Sequence, residues 1–122
     1  MSRSFVPGQT SRIHVHDVLT GEDVVIHESD ETLFEAPNWG LDGEDLYLNG
    51  AGVLWSLCPA PRAEPRAVPH IGLPEINNDH VLAPDGRTVY MSTSDQHIYR
   101  GDLVGGPVER VTEEEGIWHF LH

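Results

Sequence analysis

The chain has no lysine, and Cys58 is the only cysteine among its 122 residues. A single cysteine excludes an intrachain disulfide and gives no indication of an oxidising compartment. Seven arginines against twenty acidic residues leave a formal net charge of −13. A field of that sign repels phosphate backbones and anionic lipid surfaces, so we expect no binding to nucleic acid or to membranes. Cationic partners or metal ions suit this charge better.

Long apolar runs are also missing. No segment could cross a bilayer, and the first ten residues do not resemble a signal peptide, so we expect a cytoplasmic protein. The sequence contains no nucleophile elbow and no glycine-rich phosphate loop after a strand. Catalysis through an activated nucleophile is therefore not expected.

The chain does contain a unit that occurs twice. Asp85-Gly86 is a tight-turn pair between an apolar strand at residues 81–82 and another at residues 88–91. Asp42-Gly43 stands 43 residues earlier, and residues 46–48 repeat the second strand. After each unit comes a third strand, although the two third strands match with a slip of one residue. A period near 43 residues holding four short strands is typical of a β-propeller blade.

The two ends of the chain contain parts of the same unit. Residues 13–21 run parallel to residues 98–106, which predicts an N-terminal hairpin of two outer strands at residues 12–27. Residues 117–121 occupy the position of an innermost strand. We therefore predict an all-β partial propeller of about eleven strands, with two full four-stranded blades between the hairpin and the C-terminal strand. Residues 67–71 and 108–112 are the predicted outer strands of these blades, residues 1–11 a flexible arm, and residues 12–122 one domain.

The turn Ala83-Pro84-Asp85-Gly86-Arg87, an apolar strand, and a strand ending in Asp102-Leu103 with a glycine pair together resemble the WD40-like "PD40" repeat of TolB-like six-bladed propellers. The resemblance covers about residues 12–122. The familiar repeat has serine where Ala83 stands, and the first repeat has Leu41 in place of the proline. The resemblance implies a propeller fold and leaves the function open, because such propellers serve as docking platforms, sugar-acting enzymes and accessory domains of peptidases.

In a propeller, the loops that lead into the innermost strands meet at one mouth of the central channel. Residues 35–38, residues 77–80, and residues 113–115 leading to His119 and His122 are interpreted as such loops. Together they bring amides, carboxylates and imidazoles to a rim that could bind a polar ligand or a divalent metal ion, with Asp79 and His80 as the candidate metal ligands. The same residues could equally satisfy loop backbone groups. The candidate ligand-binding residues are Asn38, Asn77, Asn78, Asp79, His80, His119 and His122.

Two further histidines, His14 and His16, are two residues apart and share one face of a strand. That spacing fits a bidentate metal site and also an ordinary polar strand face. His119 and His122 are three apart, so on a regular strand they point to opposite sides.

Two functions are compatible with these patterns. The favoured one is a non-enzymatic propeller scaffold that binds a protein or a small polar ligand at the channel mouth. The alternative is a metal-assisted enzyme, a lyase or a hydrolase, that acts on carbohydrate. Because two blades cannot close a ring, we also expect either a homodimer that completes six blades or the remainder of a longer propeller.

Overall fold

The computed structural model describes residues 3–115. Over that range the chain forms twelve β-strands and no helix, so no helix in it could span a membrane. The predicted strand at residues 117–121 lies outside the described part. The strands are β1 (Ser11–His16), β2 (Asp23–Ser29), β3 (Glu35–Trp39), β4 (Leu46–Gly50), β5 (Val53–Leu57), β6 (Arg66–Ala67), β7 (His70–Ile71), β8 (Ile76–Leu82), β9 (Thr88–Thr93), β10 (Ile98–Asp102), β11 (Gly106–Pro107) and β12 (Glu109–Arg110).

The all-β prediction is confirmed, and the strands group as propeller blades do. β3, β4, β5 and β6 form one four-stranded antiparallel sheet in chain order, which we call blade A. β8, β9, β10 and β12 form a second, blade B, and β1 pairs with β2 as the N-terminal hairpin. The first strand of a propeller blade is the innermost one, which is β3 in blade A and β8 in blade B.

The outer strand of blade A differs from the prediction. We expected it at residues 67–71, but β6 covers only Arg66–Ala67, and β7 leaves the blade to pair in parallel with β11. Pro69 between them has no N–H with which to continue the ladder on β5. Its carbonyl instead accepts the N–H of Gly106 at 3.0 Å. This short parallel pair ties the outer parts of the two blades together.

The two Asp-Gly turns have the predicted geometry. Gly86 and Gly43 have φ angles of +71° and +74°, a region that residues with a Cβ enter at a cost. The N–H of Gly86 donates to the Ala83 carbonyl at 3.1 Å. One carboxylate oxygen of Asp85 accepts the N–H groups of Arg87 and Thr88, and hydrogen bonds from Thr88 are the main reason why the pKa of Asp85 falls to about 2.

The one-residue slip between the repeats has a structural cause in the loop after the second strand. In blade A, Gly50 pairs with Val53, so two residues make the loop. In blade B, the N–H of Thr93 donates to the carbonyl of His97, and the loop between these two residues is one residue longer. The third strands are therefore displaced by one position relative to the period of 43.

Two apolar cores lie between the hairpin, blade A and blade B. Side chains of β4 alternate, so that Leu46 and Leu48 face the hairpin while Tyr47 faces blade B. The core between the hairpin and blade A contains Ile13, Ile26, Leu46, Leu48 and Leu57. The core between the blades contains Leu54, Val68, Ile76, Val89, Met91 and Leu103. Packing in these cores holds β3 beside β8 and so positions the candidate site.

Candidate site at the seam of the inner strands

The innermost strands of the two blades are joined by the side chains of Asn38 on β3 and His80 on β8. The amide nitrogen of Asn38 lies 3.0 Å from Nδ1 of His80 and donates a second bond to the His80 carbonyl at 2.9 Å. Nε2 of His80 lies 3.1 Å from Oδ1 of Asn49 on β4. Because an amide nitrogen only donates and an amide oxygen only accepts, Nδ1 is the acceptor and Nε2 carries the proton.

The chain of hydrogen bonds continues from Asn49 along the same end of the sheet. Asn49 donates to Oδ1 of Asn78 at 2.8 Å, and Asn78 donates to Oε2 of Glu35 at 3.3 Å. Arg3, in the N-terminal arm, forms an ion pair with Glu35. We call Asn38, His80, Asn49, Asn78 and Glu35 the seam network. Every donor in it points from Asn38 toward Glu35, and bonds aligned in this way polarise one another.

Burial controls the charge of His80. The side chain is 5% exposed, and loss of hydration lowers the pKa of the imidazole to about 4, although the carboxylate of Asp79 acts in the opposite direction. His80 is therefore neutral at pH 7. A neutral ring with one donor and one acceptor is the species that the network around it can satisfy.

Residues 77–80 lie inside β8, and the prediction of a loop there was wrong. Ile76 pairs with Thr93 and His80 with Met91, so three residues of β8 lie opposite one residue of β9 and form a bulge. Asn77 closes this bulge, because its oxygen accepts the N–H of Asp79 at 2.8 Å. Its amide nitrogen donates to the Ser92 hydroxyl at 3.2 Å. Polar side chains that can bond the backbone explain why so polar a segment remains in a strand.

Residues 35–38 also lie inside a strand, β3, so the loop predicted there was wrong, and β3 has a smaller irregularity of its own. Glu35 pairs with Asn49 and Asn38 with Tyr47, so β3 carries one extra residue, and Ala36 there has a φ of +52°. Such a backbone conformation is costly for alanine, and observed strain of this kind often accompanies binding sites. The two bulges leave a pocket of about 230 Å³ between the inner strands. It is lined by Ala36, Pro37, Asn38, Asn78, Asp79, His80 and Val81.

The structure brings together four of the candidate residues, Asn38, Asn78, Asp79 and His80, at this seam pocket. Asn77 is turned toward β9 instead, while His119 and His122 lie outside the described residues. Sequence reasoning missed Asn49, which is 6% exposed and connects His80 to Asn78. The sequence offered one indication of Asn49: it is an amide at the strand end where the second repeat has Ser92.

The candidate metal ligands Asp79 and His80 lie side by side in β8. Within residues 3–115 no group of three or more histidine, cysteine or acidic residues is placed to hold a metal ion. The unprotonated nitrogen of His80 already accepts a hydrogen bond from Asn38. A metal ion at that nitrogen would have to displace the bond between the two inner strands.

Comparison with known proteins supports the fold. No family model matches the chain. The uncharacterized protein Atu1656 of Agrobacterium fabrum is 33% identical over an alignment of 120 residues, and the match covers 93% of this chain and 41% of that protein. A solved structure from Agrobacterium tumefaciens, named "putative TolB", superposes with a TM-score of 0.79 at 31% identity, covering 89% of this chain and 41% of that one. The chain thus spans about two fifths of each relative's length and has a TolB-like fold.

Proposed function

We propose that this protein is a non-enzymatic β-propeller scaffold of the PD40 type that binds a protein or a small polar ligand at the channel mouth. The seam pocket is the observation that supports this proposal. It lies between the two innermost strands, and Asn38, Asn78 and Asp79 contribute amide and carboxylate groups to its lining. Concave sites with a few convergent polar groups are where ligands bind in most proteins.

The chemistry of the pocket favours a ligand that donates hydrogen bonds. Asp79 contributes carboxylate oxygens, and Glu35 lies one hydrogen bond away through Asn78. The whole chain carries a formal charge of −13, which raises the local concentration of cations. Ammonium, guanidinium or sugar hydroxyl groups would be recognised here, and anionic ligands would be repelled.

The arrangement of His80 supports recognition over proton transfer. Its proton is donated to Asn49 and its lone pair accepts from Asn38, so the ring serves to join the strands. Its low pKa keeps it in one protonation state near neutral pH, whereas a general base works best with a pKa near the operating pH. The carbohydrate-acting alternative would require the ring to leave this network.

The test is a nuclear magnetic resonance titration of isotope-labelled protein with three probes: an arginine-rich peptide, a lysine-rich peptide and a neutral oligosaccharide. At least one probe should shift the signals of Asn38, Asn78 and Asp79, and Asp79→Ala should abolish that response while preserving the melting temperature. Glu109→Ala removes a carboxylate from β12, at the outer edge of blade B, and is the matched control. It should leave the response of Asn38, Asn78 and Asp79 to the probe unchanged. Shifts confined to other surfaces, or turnover of the oligosaccharide, would contradict the proposal.

We further propose that copies of the chain associate head to tail. In the described part, β1 pairs only with β2, so its other edge presents unpaired backbone groups. Residues 117–121, predicted to be an inner strand, could pair there in the next copy, and two copies would complete six blades. Light scattering should show a dimer of the 13.5 kDa chain that dissociates when residues 117–122 are deleted. A stable monomer would favour completion of the ring within a longer propeller.

A further inference from the structure

A second group of polar side chains lies on the N-terminal hairpin, away from the seam pocket. His14 and His16 on β1 both face Asp23, the first residue of β2. Nδ1 of His14 lies 2.6 Å from Oδ2 of Asp23, and Nδ1 of His16 lies 3.6 Å from Oδ1 of the same carboxylate. One carboxylate therefore lies beside both imidazoles: it accepts a hydrogen bond from His14, whereas His16 is near it but beyond hydrogen-bond distance.

Strand geometry keeps the two rings together. Residues two apart project from the same face, and the bulge of this hairpin lies before His14, so it does not disturb the alternation from His14 to His16. All three side chains are about half exposed: 46% for His14, 54% for His16 and 47% for Asp23. The apolar residues Ile13 and Ile26 occupy the opposite face, where they pack against blade A.

The carboxylate determines which nitrogen of His14 is available. Nδ1 of His14 lies 2.6 Å from Oδ2 of Asp23, and a carboxylate oxygen accepts hydrogen bonds, so the ring nitrogen is the donor. A carboxylate that accepts from Nδ1 holds the proton on that nitrogen and leaves the lone pair on Nε2. Metal-binding histidines commonly have this arrangement, in which an outer carboxylate orients the ring and makes its other nitrogen a stronger ligand.

We propose that His14 and His16 form a binding site for a borderline divalent ion such as Zn²⁺, ligated through the two Nε2 atoms and oriented by Asp23. Imidazole nitrogen favours Zn²⁺, Cu²⁺ and Ni²⁺ over the hard ions Mg²⁺ and Ca²⁺. The described residues offer no third protein ligand at this position, so water or an external ligand fills the other coordination positions. The site does not depend on the function proposed for the seam pocket.

The test is calorimetric titration of the full chain with Zn²⁺ at neutral pH, with Mg²⁺ as the comparison ion. We expect one Zn²⁺ per chain and no response to Mg²⁺. The double variant His14→Ala, His16→Ala should lose this binding. Asp23→Asn, which keeps both ligands and removes the orienting charge, should weaken it about 10- to 100-fold. His27→Gln, which removes a histidine from the same hairpin, should bind like the wild type.

A spectroscopic measurement distinguishes this site from other histidines. Long-range proton–nitrogen spectra should show His14 with a protonated Nδ1 before Zn²⁺ is added, and the Nε2 signals of both rings should move on binding. Absence of Zn²⁺ binding, or unchanged binding in the double variant, would overturn the proposal.

Light scattering of the same samples provides a second check. Half an ion per chain with a doubled mass would show a site between two copies and would refute a site within one hairpin.

Discussion

The burial of His80 predicts a specific loss of stability in mild acid. The folded protein holds the pKa of this imidazole at about 4, whereas in the unfolded chain it is about 6.5. Below pH 6.5 the imidazole is therefore protonated in the unfolded chain and stays neutral in the folded chain. The contribution of neutral His80 to the free energy of unfolding is fully present above pH 6.5 and is lost as the pH falls toward 4. At 1.36 kcal/mol for each pH unit between the two pKa values, the loss is about 3 kcal/mol.

Urea denaturation across this pH range measures the effect, with the wild type compared with His80→Gln. Glutamine keeps a donor and an acceptor but has no titrating group, so its unfolding free energy should lack the loss due to His80. Carboxylates such as Asp85, whose pKa is about 2, contribute equally to both proteins and cancel in the difference. A loss of about 3 kcal/mol would be large against a total stability of about 5–15 kcal/mol for an ordinary domain.

Equal losses of stability in both proteins between pH 7 and pH 4 would show that burial does not lower the pKa of His80. Resonances of His80 that titrated with a midpoint near 6.5, the value for a solvated imidazole, would show the same. His16→Gln is the control, because that ring is half exposed and its replacement leaves the seam network intact.

Two further predictions test the turn and the core, both by urea denaturation at neutral pH. Gly86→Val should cost about 1–3 kcal/mol through backbone strain alone, since the nearest atom to an added Cβ is in Leu41 at 3.9 Å; a neutral result would mean that the φ of Gly86 is not positive. Leu48→Ala should cost about 2–5 kcal/mol, because this side chain is fully buried between the hairpin and blade A; a cost near zero would mean that the hairpin does not pack there.

Much of the fold could be predicted from the sequence because its signals are local. The Asp-Gly turns specify positive φ at one residue, and the strands after them are rich in apolar and aromatic residues that favour β-structure. A local signal that recurs after 43 residues is strong evidence of a repeated unit. The hairpin was found in the same way, since the turn after Asp17 resembles the turn after Asp102: in both, the aspartate Oδ1 accepts the backbone N–H of the residue two positions later.

The parts that could not be predicted depend on contacts between distant segments. The parallel pairing of His70–Ile71 with Gly106–Pro107 joins two-residue strands, which leave no periodic pattern. The polar run at residues 77–80 was interpreted as a loop because its side chains disfavour strands in isolation. In the folded chain those side chains satisfy the bulged backbone and the neighbouring blade, so tertiary contacts override the local preference.

The 43-residue repeat of the sequence does not indicate the seam network, for a further reason. Asn38 pairs with Tyr47 and Val81 with Tyr90, so Val81 is the counterpart of Asn38 in the second repeat, and Pro37 is the counterpart of His80. The hydrogen bonds between the inner strands join positions that are not equivalent in the two repeats. A sequence repeat reveals similarity only between equivalent positions. Both counterparts are apolar, so the side chains of Val81 and Pro37 cannot form the hydrogen bonds that Asn38 and His80 form. Blades can stack through apolar contacts alone, as the core between blades A and B shows, so this polar contact between inner strands is an addition to the repeated pattern. On that ground we propose the pocket beside it as the place of a specific function.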